Sequence, residues 1–117
     1  MQTEREKAVI EAKANVFKAL GHPTRLWMAE RLAEGELCVC ELLADVNVDF
    51  STISKHLAVL KQAGVVTSEK RGKQVYYRLK VPCILNLIPC VEAVIQGSAC
   101  TTAQGDGLRV VEIKGSY

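Results

Sequence analysis

The sequence has few aromatic residues and no long apolar run, and both absences limit what it can be. Aromatic residues make up 5% of the 117 residues while apolar residues make up 49%. We therefore expect one domain with an aliphatic, largely helical core rather than two sheets packed through aromatic rings. No apolar run reaches the length of about 18 residues that a membrane span requires. The start is charged and amphipathic and has no signal-peptide pattern, so a cytoplasmic location is expected, where cysteines remain thiols.

A large excess of one charge is also missing, because 15 Lys and Arg residues face 13 Asp and Glu residues. The basic residues are nevertheless concentrated in one part of the chain. Residues 51–80 contain seven Lys and Arg residues against one Glu, whereas residues 1–50 contain six against nine Asp and Glu. Such a cluster is typical of a surface that faces DNA, and the alternative is a solvated hairpin.

Residues 36–63 have the pattern of two short helices joined by a turn. Residues 38–44 are expected to form the first helix, residues 45–50 the turn, and Ser51 the start of the second helix. An apolar stripe recurs along the second helix at Ile53, Leu57, Leu60 and Ala63. Another face carries Thr52, Lys55, His56 and Val59. An apolar inner stripe behind hydroxyl and basic groups is what a major-groove recognition helix needs.

Regular elements are also predicted on both sides of this unit. Two helices, residues 3–20 and residues 23–34, precede it, and two alternating strands around a basic tip, residues 65–79, follow it. A last helix, residues 83–96, is apolar nearly all round, and Pro89 should kink or break it. Burial against a second copy of the chain is expected for that helix. Beyond it only a short strand, residues 108–113, is expected.

Three segments of the chain resemble the ArsR/SmtB family of winged helix-turn-helix repressors. Residues 19–26, 51–64 and 71–79 are similar to the start of that family's second helix, its recognition helix and its wing. The resemblance implies a mainly α fold with a β-hairpin wing, with about five helices and two strands. It implies that residues 1–96 form a DNA-binding and dimerisation domain and residues 97–117 a flexible tail. It further implies a homodimer on double-stranded operator DNA, with no membrane partner. The DNA contacts expected are Ser51, Thr52, Ser54, Lys55, His56, Arg71 and Lys73.

A fourth segment, residues 36–42, resembles the metal-binding segment of the arsenite-responsive branch of that family. The resemblance implies that Cys38 and Cys40 bind As(III) or Sb(III) as inducer, without an organic cofactor, and that binding releases the operator. The third cysteine usual in this branch falls at Leu43, so solvent, a small thiol or another cysteine is expected to supply the third ligand. Additional candidate ligands are Cys83, Cys90 and Cys100. A zinc sensor of the type that uses His and carboxylates on the last helix is not expected, since that helix contains no His.

The chemistry of the cysteine pair supports the same inducer. Trivalent arsenic and antimony are soft, and thiolates select soft ions over Mg²⁺ or Ca²⁺. Side chains two residues apart point about 200° apart on an α-helix, but they share one side of an extended segment with Cα atoms roughly 6.7 Å apart. Inducer binding is therefore predicted to unwind the start of the first helix, which supports the recognition helix.

Alternatives to each assignment stay open. Cys38 and Cys40 could be small buried apolar residues, and His56 could cap or pack. Cys83 and Cys90 lie about 10 Å apart on a straight helix, so they are either core thiols or part of a second soft-metal or redox site completed by a kink, a partner subunit or Cys100. For the whole protein, the alternatives are a thiol-based redox or persulfide sensor and a Cd- or Pb-sensing repressor of the same fold. An enzyme is not expected, because no Ser/His/Asp set, phosphate loop or cofactor motif accompanies the cysteines.

Overall fold

The computed structural model describes residues 3–97, which form five α-helices, one 3₁₀ helix and a three-stranded antiparallel sheet. In chain order these are α1 (Glu4–Leu20), α2 (Pro23–Leu32), β1 (Leu37–Cys38), α3 (Val39–Ala44), α4 (Phe50–Gln62), β2 (Val66–Arg71), β3 (Gln74–Leu79), the 3₁₀ helix (Pro82–Leu87) and α5 (Ile88–Gln96). The mainly helical winged helix-turn-helix expected from the sequence is confirmed. The sheet has three strands in place of the two predicted.

Side-chain caps fix where the first helices and α4 begin. The Thr3 hydroxyl accepts the backbone N–H of Glu6, and the His22 imidazole accepts that of Thr24, each at 3.0 Å. The Asp49 carboxylate accepts the backbone N–H of Thr52 at 3.0 Å and so places the first residue of α4 at Phe50, one residue before the predicted start. Each cap satisfies a backbone donor that the first turn of a helix leaves open.

The core of the first compact unit, which ends at Pro82, is built around α4. Its predicted inner residues Ile53, Leu57 and Leu60 are 0% exposed. Helix α4 contacts α2, α3 and β2, which contribute buried residues such as Met28 and Leu42. Burying each of these side chains stabilises the fold by roughly 1.5–3 kcal/mol, so the position of α4 is set by its apolar stripe and its opposite face is left to solvent.

The predicted hairpin is confirmed and forms the wing. Strands β2 and β3 pair from Val66 opposite Leu79 to Arg71 opposite Gln74. Gly72 and Lys73 remain as a two-residue turn. Gly72 has a φ of 65°, a conformation that glycine adopts without strain.

The third strand, β1, was not predicted, and the helix predicted from residue 38 begins one residue later. Cys38 has extended backbone, with φ −91° and ψ 169°, and pairs with Tyr76 of β3. The Glu41 carboxylate accepts the backbone N–H of Cys38 at 2.9 Å, in a capping box with Cys38 in the position usual for Ser or Thr. The helical assignment of Cys38 is therefore wrong, and only Cys40 of the pair is helical.

The second compact unit begins at Cys83. The helix predicted over residues 83–96 is broken, as expected: the 3₁₀ helix ends at Leu87, and Pro89 lies in the first turn of α5. A first-turn nitrogen has no helical partner, so proline is tolerated there. No helix within residues 3–97 is long and apolar enough to cross a membrane. The predicted strand at residues 108–113 and Cys100 lie outside the described residues.

Candidate cysteine site and nucleic-acid interface

Helix α4 presents a polar face on the side away from its buried stripe. Ser51 and Lys55 are exposed on this face, and Thr52 and Ser54 are half-buried on its flanks. Hydrogen bonds from Thr52 lower the pKa of Asp49, so its carboxylate stays charged at the start of the helix. A negative charge at this end is favoured by the helix dipole and keeps the first turn ordered.

His56 contacts the start of α2. Its Nδ1 atom lies 3.2 Å from Nη1 of Arg25, and its ring centroid lies 4.4 Å from that of His22. Burial, together with repulsion from His22 and Arg25, lowers the pKa of His56 and keeps it neutral at neutral pH. Arg25 also donates to the carbonyl of Ala19 at 2.6 Å. The structure therefore gives His56 a packing role, and its contact with DNA stays a prediction.

The two predicted DNA-binding residues of the wing differ in their surroundings. The Arg71 guanidinium donates to Glu36 at 2.9 Å and to Glu69 at 2.7 Å, and it lies 4.7 Å from the ring centre of Tyr76. These hydrogen bonds raise the pKa of Arg71. Lys73 is exposed at the turn, and within residues 3–97 its side chain has no hydrogen bond or ion pair. The charge of Lys73 is thus available to a phosphate, whereas that of Arg71 is balanced by two carboxylates.

A side-chain bridge connects α4 to the wing. Lys61, in the last turn of α4, donates from Nζ to the Ser68 hydroxyl of β2 at 2.7 Å. Lys55 of α4 and Lys70 of β2 are both exposed. The helix and the hairpin are therefore held together, and both carry exposed basic side chains.

The two cysteines of the 36–42 segment lie at the junction of β1 and α3. Cys38 is 2% exposed, whereas Cys40 is exposed in the first turn of α3. The junction makes the two thiols neighbours, and the interaction with Cys38, ahead of burial, raises the pKa of Cys40. The Cys40 thiol also donates to Oε1 of Gln74, the first residue of β3, at 3.7 Å.

This junction changes how the pair is able to share one ion. The predicted unwinding of the helix rested on both cysteines being helical, and that premise is wrong because Cys38 is extended. The two sulfurs are already close while α3 keeps its first turn. Within the described residues no group of three or more His, Cys, Asp or Glu side chains could hold a metal ion. If Cys38 and Cys40 bind an ion, a third ligand has to come from outside the described residues or from solvent.

Comparison with known proteins agrees with this arrangement of helix and wing. The model of the family described as "Bacterial regulatory protein, arsR family" matches residues 22–68. This span runs from the cap of α2 into β2. The biofilm growth-associated repressor of Agrobacterium fabrum is 39% identical over 89 residues, which cover 76% of this chain and 75% of that protein. The chain belongs to the arsR family. It is a winged helix-turn-helix transcriptional regulator, and the similarity to repressors supports a repressor role.

Two further proteins resemble this arsR-family regulator. The arsenic resistance transcriptional regulator ArsR1 of Pseudomonas putida is 48% identical over 65 residues, which cover 55% of this chain and 51% of that protein. The homodimeric winged helix-turn-helix DNA-binding domain of Mb0332 from Mycobacterium bovis matches with a TM-score of 0.70 and 31% identity. That match covers 80% of this chain and 86% of the other.

Two of the remaining cysteines of the arsR-family regulator, Cys83 and Cys90, belong to the second compact unit. Cys83 is exposed in the 3₁₀ helix and Cys90 is exposed in α5, on opposite sides of the break before Ile88. Within residues 3–97, all four cysteines are free thiols and none forms a disulfide. The predicted role of Cys83, Cys90 and Cys100 as additional ligands stays a prediction.

Four residues around the sites were not found from the sequence of this regulator. Glu41 caps Cys38, and its position three residues later is the spacing of a capping box, so a signal was present. Glu36, Gln74 and Arg25 contact residues far along the chain. No local pattern marks such contacts.

Proposed function

We propose that this arsR-family regulator is a cytoplasmic, homodimeric repressor that leaves its operator when As(III) or Sb(III) binds Cys38 and Cys40. The observation that carries the proposal is the neighbouring thiol pair at the junction of β1 and α3, with Cys38 extended and Cys40 in the first turn of the helix. Soft thiol ligands fit a soft trivalent ion. The similarity to a regulator named for arsenic resistance supports the same inducer.

The binding reaction is a ligand exchange without oxidation or reduction. Arsenous acid has three As–OH groups, and two of them are replaced by the sulfurs of Cys38 and Cys40. Two As–O and two S–H bonds break, two As–S bonds form, and two water molecules leave. The third position keeps its hydroxyl group or takes a small thiol, which agrees with a two-thiol protein site.

The pKa of Cys40 favours this chemistry over a peroxide sensor. The thiolate is the form that reacts with oxidants, and a raised pKa leaves less of it at neutral pH. Displacement by arsenic instead removes the thiol proton as part of the exchange, so a protonated Cys40 thiol is compatible with it.

Contact with DNA is proposed for the exposed face of α4 and for the wing. Ser51, Thr52, Ser54 and Lys55 would enter the major groove, and Lys73 would contact a phosphate. His56 would first have to leave its present partner Arg25. Arg71 would first have to leave the two carboxylates that it contacts.

A second copy of the chain would cover two apolar faces. Ile10 and Phe17 of α1 are 46% and 64% exposed, and Val94 of α5 is 78% exposed. Exposed apolar side chains of this size are typical of an interface. The similarity to the homodimeric Mycobacterium bovis domain supports a two-fold assembly with recognition helices about 34 Å apart.

One titration tests the proposed function. An operator selected from random DNA is bound to the wild-type protein, and arsenite, antimonite, Cd²⁺, Pb²⁺, Zn²⁺ and peroxide are added separately while fluorescence anisotropy follows release. We expect arsenite and antimonite to raise the operator Kd by about 5- to 150-fold, the usual range of coupling between two sites. Release by peroxide alone would contradict the proposal and favour the redox sensor. Release by Cd²⁺ or Pb²⁺ alone would contradict it and favour the Cd- or Pb-sensing repressor.

A further inference from the structure

The residues that close the wing both contact the segment that carries the thiols. Arg71 and Gln74 are the last paired residues before the turn, so their side chains lie on the same face of the sheet. Arg71 contacts Glu36, and Gln74 contacts Cys40. These two partners lie two residues before and two residues after Cys38. The tip of the wing is therefore held from both sides of the buried cysteine.

We propose that Gln74 is the positioning residue through which inducer binding at Cys40 displaces the wing. This inference rests on the proposed function. The contact between Sγ of Cys40 and Oε1 of Gln74, at 3.7 Å, requires the thiol hydrogen, because an amide oxygen only accepts. Once an As–S bond replaces the S–H bond, two acceptor atoms face each other, so the present contact is lost and the Gln74 amide has to rotate.

Because of the place of Gln74 in the hairpin, loss of its contact with Cys40 also affects the proposed DNA-binding surface at the tip of the wing. Gln74 directly follows Lys73, and the turn has only two residues, so a shift of Gln74 moves the Lys73 ammonium group. The Glu36–Arg71 ion pair, at 2.9 Å, contains no sulfur and persists when the inducer binds. One side-chain contact of the tip thus stays in place while the other is lost, which reorients the tip.

The test separates inducer binding from its effect on DNA. Gln74→Leu keeps the size of the side chain and removes the acceptor, and Gln62→Leu makes the same change at an exposed glutamine of α4 as a control. Arsenite binding to each protein without DNA is measured by near-ultraviolet arsenic–sulfur absorbance, and the operator Kd is measured with and without arsenite. We expect intact arsenite binding in both variants and a ratio of the two Kd values that falls by about threefold or more in Gln74→Leu only.

Each outcome decides the inference. An unchanged Kd ratio in Gln74→Leu that binds arsenite would overturn it and leave the proposed function standing. Absence of arsenic–sulfur absorbance in the wild type would overturn the proposed function and this inference with it. Gln74→Glu is a second variant that keeps an acceptor for the thiol, so its Kd ratio should equal or exceed that of the wild type. A lower ratio in Gln74→Glu would also contradict the coupling role.

Discussion

The pair Cys38 and Cys40 and the pair Cys83 and Cys90 show how differently a fold treats two sets of the same residue. The first pair lies at a change from strand to helix, where extended backbone at Cys38 brings its thiol to that of Cys40. The second pair is separated by a change from 3₁₀ to α-helix, and both members are exposed. Chelation requires neighbouring sulfurs, so the junction of two elements, rather than helical spacing, makes the first pair the better candidate for a ligand site.

The two pairs also differ in what surrounds them. Cys38 belongs to a strand that pairs with β3 of the wing, and Cys40 contacts the first residue of β3. Cys83 and Cys90 belong to the second unit, whose exposed Val94 is proposed to meet another copy of the chain. A change at the first pair thus has a short route to the proposed DNA surface.

The interaction between Cys38 and Cys40 should be measurable as thiol reactivity. Cys38→Ala removes the main cause that raises the pKa of Cys40, so more thiolate is present at pH 7 and alkylation by iodoacetamide should become several-fold faster. Peptide mass spectrometry measures the rate at each cysteine, and Cys83 in the same sample is the internal control. An equal rate at Cys40 in the variant and the wild type would mean that the two thiols do not interact and that the two pairs are alike.

A smaller change, in the salt dependence of DNA binding, tests whether the wing beside the first pair contacts DNA. Lys73→Ala should flatten the dependence of log Kd on log salt concentration by roughly 0.9, which is about threefold in Kd between 50 and 200 mM salt. Lys13→Ala, an exposed lysine of α1, is the matched control and should keep the wild-type slope. The same slope in Lys73→Ala and the wild type would mean that the wing does not contact DNA. The first pair would then have no short route to the DNA surface through the wing.

Much of the fold follows from local patterns. The stripe of Ile53, Leu57 and Leu60 predicts which side of α4 is buried, and alternation around Gly72 predicts the hairpin, because periodicity within one element reports on its exposure. Strand β1 has only two residues, which is too short to show the alternation of apolar and polar residues that marks a strand. Its partner strand lies far along the chain. Its existence depends on tertiary pairing.

The site was predictable to a similar extent. The spacing and neighbours of Cys38 and Cys40 predict a ligand pair, but a capping box with cysteine in place of Ser or Thr hides the true start of α3. Helical spacing groups His56 with Lys55, yet the packing of α2 against α4 gives His56 the neighbours His22 and Arg25. Contacts between distant elements decide what such a side chain does, and one helix cannot reveal them.

The central claim, that the first pair alone senses the inducer, is tested most directly by comparing two proteins. In one, Cys83, Cys90 and Cys100 are all replaced by Ser, and in the other only Cys40 is replaced by Ser, a hard and poorly ionised ligand. Operator release by arsenite is followed in both. We predict that the triple variant releases its operator as the wild type does, and that Cys40→Ser binds the operator but ignores arsenite. Loss of the response in the triple variant together with a normal response in Cys40→Ser would contradict the claim and place the inducer site among the last three cysteines.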